Sequence, residues 1–222
     1  MASLRHGVYG SYYGSLYTES QALTTEQMQT NATYIYSCLL PKGWTINAIS
    51  AILGNMQAES SINPGRWQSD SVGWVAGGYG LVQWTPTTKY IDWCTAQGFS
   101  DPSEMDNNLE RILWEVDNGD QWGFPSYSPY TITFKQFTIS NESVSDLTKA
   151  FLLNYERPAE ENRTEEKQAI RASLGEAWYE YLTGVAPTPP TPTTDAPKKR
   201  FNFVLFNMNR SGNTWKKKNL MR

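Results

Sequence analysis

The chain has 222 residues and a net charge of −3, and with 39% hydrophobic and 14% aromatic residues it can bury one sizeable core. Its only histidine, His6, stands close to the N-terminus. This count disfavours hydrolases that need a histidine base inside their fold and zinc peptidases with clustered histidine ligands, but it leaves carboxylate chemistry open.

The charges divide the chain into an acidic part and a basic part. Residues 196–222 hold eight of the 19 Lys and Arg residues and none of the 22 Asp and Glu residues, so the first 195 residues have a net charge of −11. An acidic body disfavours a nucleic-acid-binding domain. The sequence shows neither the pattern of a signal peptide nor a long apolar run, so we expect no membrane span.

Composition predicts four segments, of which one is a folded domain. The first is rich in Gly, Ser and Tyr, the second has helical periodicity, the third is rich in Pro and Thr, and the last is basic. In chain order they are an N-terminal arm (1–20), the domain (21–184), a linker (185–197) and a basic C-terminal tail (198–222). Cys38 and Cys94 fall in helical stretches, where free thiols are favoured over a disulfide.

Apolar residues at helical spacing, together with capping residues and breakers, predict six helices in the domain. Thr24 opens the first with a capping box, Thr45 caps the second, and Ser103 is expected to open another capping box. A short helical turn is expected at 134–137. The six helices are predicted at about 25–40, 46–59, 86–98, 104–118, 144–156 and 164–184.

The segment from Ser60 to Trp84, between the second and third helices, has no helical period. Glycines at positions 73, 77, 78 and 80 alternate with Val, Trp and Tyr, which is typical of a short irregular β-hairpin or small sheet. We therefore predict an α+β fold, mostly helical, with a small β-hairpin or sheet beside a cleft.

Glu59 is the main candidate for chemistry, because it ends an apolar helix. Glycoside cleavage needs a carboxylic acid that keeps its proton at neutral pH. The helix C-terminus, the apolar helix and the nearby Trp67, Trp74 and Trp84 would each favour the protonated form of Glu59. The alternative is that Glu59 is a solvated surface residue.

Three motifs resemble, in order, those of the lysozyme-like superfamily, which includes goose-type lysozymes and lytic transglycosylases. They are Glu59-Ser60, then Gly80-Leu81-Val82-Gln83, and then Tyr155 within the string NYERP. The wider strings LGNMQAESSINPG, GYGLVQWTP and LLNYERP look still more like the tail-associated lysozyme domain of phages that infect Gram-positive bacteria, over residues 21–184. That resemblance implies a mostly helical, lysozyme-like fold.

The resemblance also implies roles for individual residues. Glu59 would be the general acid, and neither a metal nor another cofactor would be needed. Val82 stands in place of the usual Met, and Glu156 follows Tyr155 where transglycosylases usually have Asn, which weakens the transfer of their non-hydrolytic mechanism. The residues implied to bind sugar are Ser60, Gly80, Leu81, Gln83, Trp84 and Tyr155.

A second catalytic carboxylate has two candidates. Asp70 lies in a loop eleven residues after Glu59, and Glu156 follows Tyr155. Each has an equally ordinary structural interpretation, Asp70 as a loop residue and Glu156 as a salt-bridge partner of Arg157. If neither acts, the enzyme is substrate-assisted or a transglycosylase.

The function implied by the resemblance is a peptidoglycan hydrolase, a muramidase that cuts the β-1,4 bond between N-acetylmuramic acid and N-acetylglucosamine. It would sit on the phage tail and open the Gram-positive wall during infection. Its partners would be peptidoglycan glycan strands and tail-tip proteins bound through the arm or the basic tail, with no nucleic acid or membrane. The alternatives are a lytic transglycosylase that uses Glu59 and a non-catalytic virion protein that binds the wall.

Overall fold

The structure is a computed structural model and describes residues 3–5, 8–10 and 20–184. His6, the linker and the basic tail lie outside the described residues, so the predictions made for them stay predictions. Within the arm, two short strands, β1 (Ser3–Arg5) and β2 (Val8–Gly10), pair antiparallel, with Leu4 opposite Tyr9.

Helices form most of the described domain, and the six predicted helices and the short turn are all present. An irregular π-helical turn, Leu152–Glu156, extends the sixth of the seven helices, and single 3-10 turns occur at Leu40–Lys42, Gln68–Asp70 and Glu160–Asn162. The helices are α1 (Thr25–Leu39), α2 (Ile46–Ser60), α3 (Thr88–Gln97), α4 (Met105–Asn118), α5 (Phe134–Thr138), α6 (Val144–Phe151) and α7 (Glu165–Gly184).

Local capping explains why several of these helices begin where the sequence predicts. The Thr24 side chain accepts from the backbone N–H of Gln27, and the Gln27 side chain accepts from the backbone N–H of Thr24. Thr45 caps α2 through a single hydrogen bond, in which its side chain accepts from the backbone N–H of Ala48. The capping box predicted at Ser103 is wrong, because the N-cap of α4 is Glu104 and the Ser103 hydroxyl donates to Asp101.

Helix α2 runs through the centre of the domain and packs against α1, α6 and α7. Every residue from Ala48 to Met56 is buried, so apolar or small side chains surround the whole circumference of this helix. The helix is therefore fixed on all sides, and the residues at its C-terminal end have a defined position. No helix in the described part of the chain is both long enough and apolar enough to cross a membrane.

The predicted α+β class is wrong, because residues 61–87 form neither a hairpin nor a sheet. Two single β-bridges, Trp67 with Tyr79 and Tyr79 with Trp84, are the only strand-like pairings of this segment. The chain turns back on itself between Tyr79 and Trp84, whose backbone N–H groups each donate to the other residue's carbonyl. Side chains also bind backbone groups of this segment, and Oε1 of Gln68 accepts from the Gly78 N–H at 2.8 Å. These backbone groups are therefore hydrogen-bonded without a ladder between strands. Among the described residues, strands occur only in the arm.

Cys38 and Cys94 are free thiols, as the sequence favours, with Cys94 buried and Cys38 half-buried. Cys94 belongs to the main core, and Cys38 packs against its edge. Neither thiol therefore stabilises the fold through a disulfide, and the packing around α2 holds the domain together.

Candidate active site

Glu59 is the next-to-last residue of α2, as the sequence predicts, and its side chain is 23% exposed. The buried helix behind it fixes its position, and Ser61 ends the helix in the left-handed conformation at φ 55°. A carboxylate at a helix C-terminus faces the negative end of the helix dipole, so it needs a nearby cation or a proton.

Arg171 of α7 supplies that cation. Its Nη2 lies 2.5 Å from Oε1 of Glu59, and its Nη1 donates to the side chain and backbone oxygens of Asn55 at 3.3 and 3.4 Å. The two helices can approach this closely because Gly54 and Gly175 face each other: a Cβ on Gly54 would lie 2.5 Å from the backbone nitrogen of Gly175. The sequence gives no indication of Arg171, since nothing in its local pattern marks it.

Glu59 and Arg171 line a cavity of about 620 Å³, which we call the acid cavity. A second cavity of about 450 Å³, the side cavity, has Gln83, Thr85 and Glu156 in common with it. The two cavities together form one cleft. The other residues of the acid cavity are Arg66, Gln68, Ser69, Pro158, Asn162, Lys167 and Ile170, and those of the side cavity are Val82, Lys89, Gln121 and Arg157.

Glu156 stands where the two cavities meet. It ends the π-helical turn after α6, and its Oε1 is buried with no hydrogen-bond partner. Burial raises the pKa of Glu156 well above its ordinary value, the charge of Glu59 raises it further, and the charge of Arg171 opposes the rise. Glu156 therefore holds its proton more tightly than an ordinary glutamate and lies close enough to Glu59 to feel its charge. Its predicted alternative, a salt bridge to Arg157, is absent among the described residues.

Asp70 lies outside both cavities. Its carboxylate accepts from Nε and Nη2 of Arg66 at 3.2 and 3.4 Å, and from the Ser20 hydroxyl at 3.2 Å. Both Ser69 and Asp70 have left-handed backbones, and this turn directs Asp70 toward Arg66. Of the two candidates for a second carboxylate, the structure brings Glu156, and not Asp70, to the cavity of Glu59.

The motif at residues 80–83 is held rigidly at the mouth of the cleft. The Ser60 hydroxyl donates to the Leu81 carbonyl at 2.8 Å, and the Leu81 N–H donates to Oδ1 of Asn108 at 3.1 Å. Gly80 has φ 84°, and a Cβ there would lie 2.7 Å from the same Asn108 oxygen, so only glycine fits. Gln83 faces both cavities, while its Nε2 donates back to the carbonyls of Arg66 and Gly80.

Five of the six residues expected to bind sugar are buried and line neither cavity, whereas Gln83 lines both. The five lie behind the cleft and support it, and direct contact of sugar with them stays a prediction. These residues are Ser60, Gly80, Leu81, Trp84 and Tyr155.

Behind the cleft, Glu115 of α4 joins the second and third motifs. Its Oε2 accepts from the Tyr155 hydroxyl at 2.6 Å, and its Oε1 accepts from Nε1 of Trp84 and Nε of Arg111, each at 2.8 Å. Burial raises the pKa of Glu115 to about 7, although these hydrogen bonds and the charge of Arg111 oppose the rise. Arg111 also binds Asp120 at 2.8 Å. This buried network fixes the spacing between the motifs.

This network was not predicted, although the sequence carries a signal for it. Asn108, Arg111 and Glu115 share one helical face with the apolar residues Leu109 and Ile112, and all five are buried. Polar residues on an otherwise apolar stripe indicate buried hydrogen bonds.

The prediction that Trp67, Trp74 and Trp84 shield Glu59 from water is wrong. Trp67 and Trp84 are buried, at 4% and 1% exposure, in an aromatic cluster in which Trp84 stacks on Tyr90 at 4.4 Å. Trp74 is 47% exposed. None of the three lines a cavity. Pairing with Arg171, and not a wall of tryptophans, sets the surroundings of Glu59.

Among the described residues, no group of three His, Cys, Asp or Glu side chains could hold a metal ion.

Comparison with known proteins finds a matching family and a similar phage protein. The model of a family described as phage tail lysozyme matches residues 30–182. The chain is also similar to Morphogenesis protein 1 of Bacillus phage B103, with 46% identity over 172 residues, which is 78% of this chain and 44% of that protein. The chain therefore spans less than half the length of this relative. Glu59, Glu156 and Arg171 all lie within the residues that match the family.

Proposed function

The chain belongs to the phage tail lysozyme family, and from this premise we propose that it hydrolyses peptidoglycan as a muramidase. The bond cut would be the β-1,4 bond between N-acetylmuramic acid and N-acetylglucosamine. One observation carries the proposal: Glu59 and Glu156 line the same cavity, and burial and the Glu59 charge raise the pKa of Glu156. Most glycoside hydrolases work with such a pair, one carboxyl group protonated and the other ionised.

Glu59 is the proton donor in this proposal. Its Oε1 lies 2.5 Å from Nη2 of Arg171, so donation requires that a bound glycan separate the two side chains. Once the cation has moved away, Glu59 can receive the proton of Glu156, because the negative end of the α2 dipole then has no compensating cation beside it. The leaving sugar oxygen then receives this proton as the glycosidic bond breaks.

Glu156 is the second carboxyl group. In this proposal it carries the single proton that the pair shares, because burial and the neighbouring Glu59 charge favour its neutral form. Transfer of that proton to Glu59 leaves Glu156 ionised. An ionised Glu156 can accept a proton from water that attacks the sugar, or stabilise positive charge on the ring. A single proton shared by the two carboxyl groups therefore provides both the proton donor, Glu59, and the ionised carboxylate, Glu156.

The rigid segment at residues 80–83 would position the substrate. Gln83 faces both cavities, and its amide oxygen stays available after its Nε2 has bound the two backbone carbonyls. Tyr155 and Trp84 would act indirectly, because both donate to Glu115 and so hold the Gly80–Trp84 turn and the Glu156 segment at a fixed distance.

We also propose that the protein acts from the phage particle on the bacterial cell wall. The description of its family and the Bacillus phage source of its relative support this location. In this proposal the arm at 1–20 or the basic tail at 198–222 contacts tail-tip proteins.

Mass spectrometry of purified Gram-positive walls after digestion tests the proposal. The wild type should release muropeptides with reducing N-acetylmuramic acid ends. Glu59→Gln should release these muropeptides at least about 100-fold more slowly, since general acid catalysis contributes about 100- to 10,000-fold to the rate. Anhydromuramyl ends would identify a transglycosylase instead. Wall binding without any released sugar would identify a non-catalytic binding protein.

A further inference from the structure

The side cavity contains two cations that the chemistry of Glu59 and Glu156 does not use. Lys89 and Arg157 both line it, and within the described part of the chain neither makes an ion pair. In the acid cavity Arg66 and Arg171 are each paired with a carboxylate, and Lys167 donates to Oδ1 of Asn162. Six of the seven residues that line the side cavity are polar or charged, and Val82 is the exception.

Both cations are held in place by the surrounding backbone and side chains. Nζ of Lys89, in the first turn of α3, donates to Oε1 of Gln121, whose Nε2 donates to the Tyr155 carbonyl at 3.1 Å. Arg157 follows Glu156 directly and has φ 49°. Its guanidinium lies against Gly123, where a Cβ would be 3.1 Å from Nη1. The Lys89 ammonium group is therefore positioned before any ligand arrives, which lowers the entropic cost of binding, and the Arg157 guanidinium packs against the Gly123 backbone.

The charges favour an anionic ligand. The first 195 residues have a net charge of −11, so unpaired cations that share a cavity are unusual for this chain. Burial and the Glu59 charge raise the pKa of Glu156, the acid that directly precedes Arg157, and so favour its neutral form. A volume of 450 Å³ lies within the range of ligand pockets, about 300–1,000 Å³, and exceeds what a single small ion needs.

We propose that the side cavity is a subsite for a carboxylate carried by the peptide attached to the glycan strand. Arg157 would bind the carboxylate through its planar fork of N–H groups, and Lys89 would add a second charge-assisted hydrogen bond. The inference rests on the proposed function, because it places the peptide beside the scissile bond at Glu156. Its consequence is specificity: the enzyme prefers glycan strands that carry peptides over strands without them.

The test uses three wall preparations and two double variants. The walls are teichoic-acid-free sacculi with their peptides, the same sacculi after an amidase has removed the peptides, and sacculi that retain teichoic acid. K89Q/R157Q removes both cations. K42Q/K135Q removes two exposed lysines that line neither cavity and serves as the matched control. The measured quantity is the ratio of the initial rate on each wall to the rate on peptide-free wall.

For the wild type we expect this ratio to favour peptide-bearing sacculi by about tenfold or more, the value of one charge-assisted hydrogen bond. K89Q/R157Q should bring the ratio close to one, while K42Q/K135Q should keep the wild-type ratio. A wild-type ratio near one, or equal losses of K89Q/R157Q on both walls, overturns the subsite. Discrimination that depends on teichoic acid and not on peptide also overturns it, and assigns the cations to phosphate.

A binding measurement keeps the inference separate from the proposed function. Glu59→Gln, with and without the two cation substitutions, is titrated with soluble muramyl oligosaccharides with and without peptides, and tryptophan fluorescence is recorded. Tighter binding of the peptide-bearing oligosaccharide that K89Q/R157Q abolishes supports the subsite even if the wild type cleaves nothing. Equal binding of both oligosaccharides refutes it even if the wild type is a muramidase.

Discussion

Nη2 of Arg171 lies 2.5 Å from Oε1 of Glu59, so a cation on α7 meets the carboxylate at the end of α2 across 112 positions of sequence. The two side chains are 20% and 23% exposed, which leaves the pair accessible to a ligand in the cleft. The cation compensates the charge of the carboxylate, and in the proposed mechanism a bound substrate has to separate the two side chains.

Replacing Arg171 by Gln should move the alkaline limb of the pH–rate profile to higher pH. The charge of Arg171 opposes the rise in the pKa of Glu156, so without it Glu156 keeps its proton over a wider range. The measurement is kcat/KM on soluble muramyl oligosaccharide across pH, with Lys135→Gln as a charge-matched control on the exposed face of α5. An alkaline limb that stays in place, or moves to lower pH, would contradict this account of the pair.

Glu156→Gln should lower kcat by about 100-fold, and Asp70→Asn should leave more than half of the activity, since a positioned acid or base contributes about 100- to 10,000-fold. The reason is their location: Glu156 lines both cavities, whereas Asp70 lines neither and binds Arg66. Release of reducing ends measures both variants. Loss of an exposed pair such as Asp70 with Arg66 should lower the free energy of unfolding by only about 0–1 kcal/mol. The reverse ranking of the two variants would assign the second carboxylate to Asp70.

Glu115 should make the protein less stable as pH rises from about 4.5 to about 7, which are its ordinary and raised pKa values. With the higher pKa in the folded state, the native protein binds more protons than the unfolded chain in this window, and stability is lost as pH rises through it. Glu156, whose pKa is also raised, acts in the same direction.

Urea unfolding of the wild type, Glu115→Gln and the exposed control Glu176→Gln at pH 5 and pH 8 measures this effect. The wild type and the control should both be more stable at pH 5, and the difference should be smaller for Glu115→Gln because one of the two groups is gone. A wild type that is more stable at pH 8 would show that the buried network favours the ionised form of Glu115.

Gly54→Ala should destabilise the fold and weaken catalysis together. Its Cβ would lie 2.5 Å from the Gly175 nitrogen, so α7 must move away from α2, and such overpacking costs about 1–3 kcal/mol. The same movement would carry Arg171 away from Glu59. Gly184→Ala is the control, because a Cβ there meets nothing within 4 Å. Unfolding by urea gives the free energy, and equal stability of the two variants would refute the close helix contact.

The segment at 61–87 shows why its pattern predicted the wrong structure. Alternating Gly, Val, Trp and Tyr indicates a strand only if the backbone finds a partner strand. Here Tyr79 instead forms single β-bridges with both Trp67 and Trp84, and no continuous strand pairing follows. The rings of these three residues are buried beneath the turn. The same burial removed Trp67 and Trp84 from the cleft. Composition could not distinguish a tryptophan that lines a cavity from one that supports it.

The sequence by itself determined which stretches are helical and that Glu59 lies at the end of the buried helix, because capping and periodicity act between residues a few positions apart. Only the tertiary structure decided which groups surround Glu59. The glycine contact between α2 and α7 brings Arg171 to it, the π-helical turn brings Glu156 into the cleft, and the Ser69–Asp70 turn directs Asp70 away. These placements depend on packing between elements far apart in the chain, and local pattern carries no information about such distances.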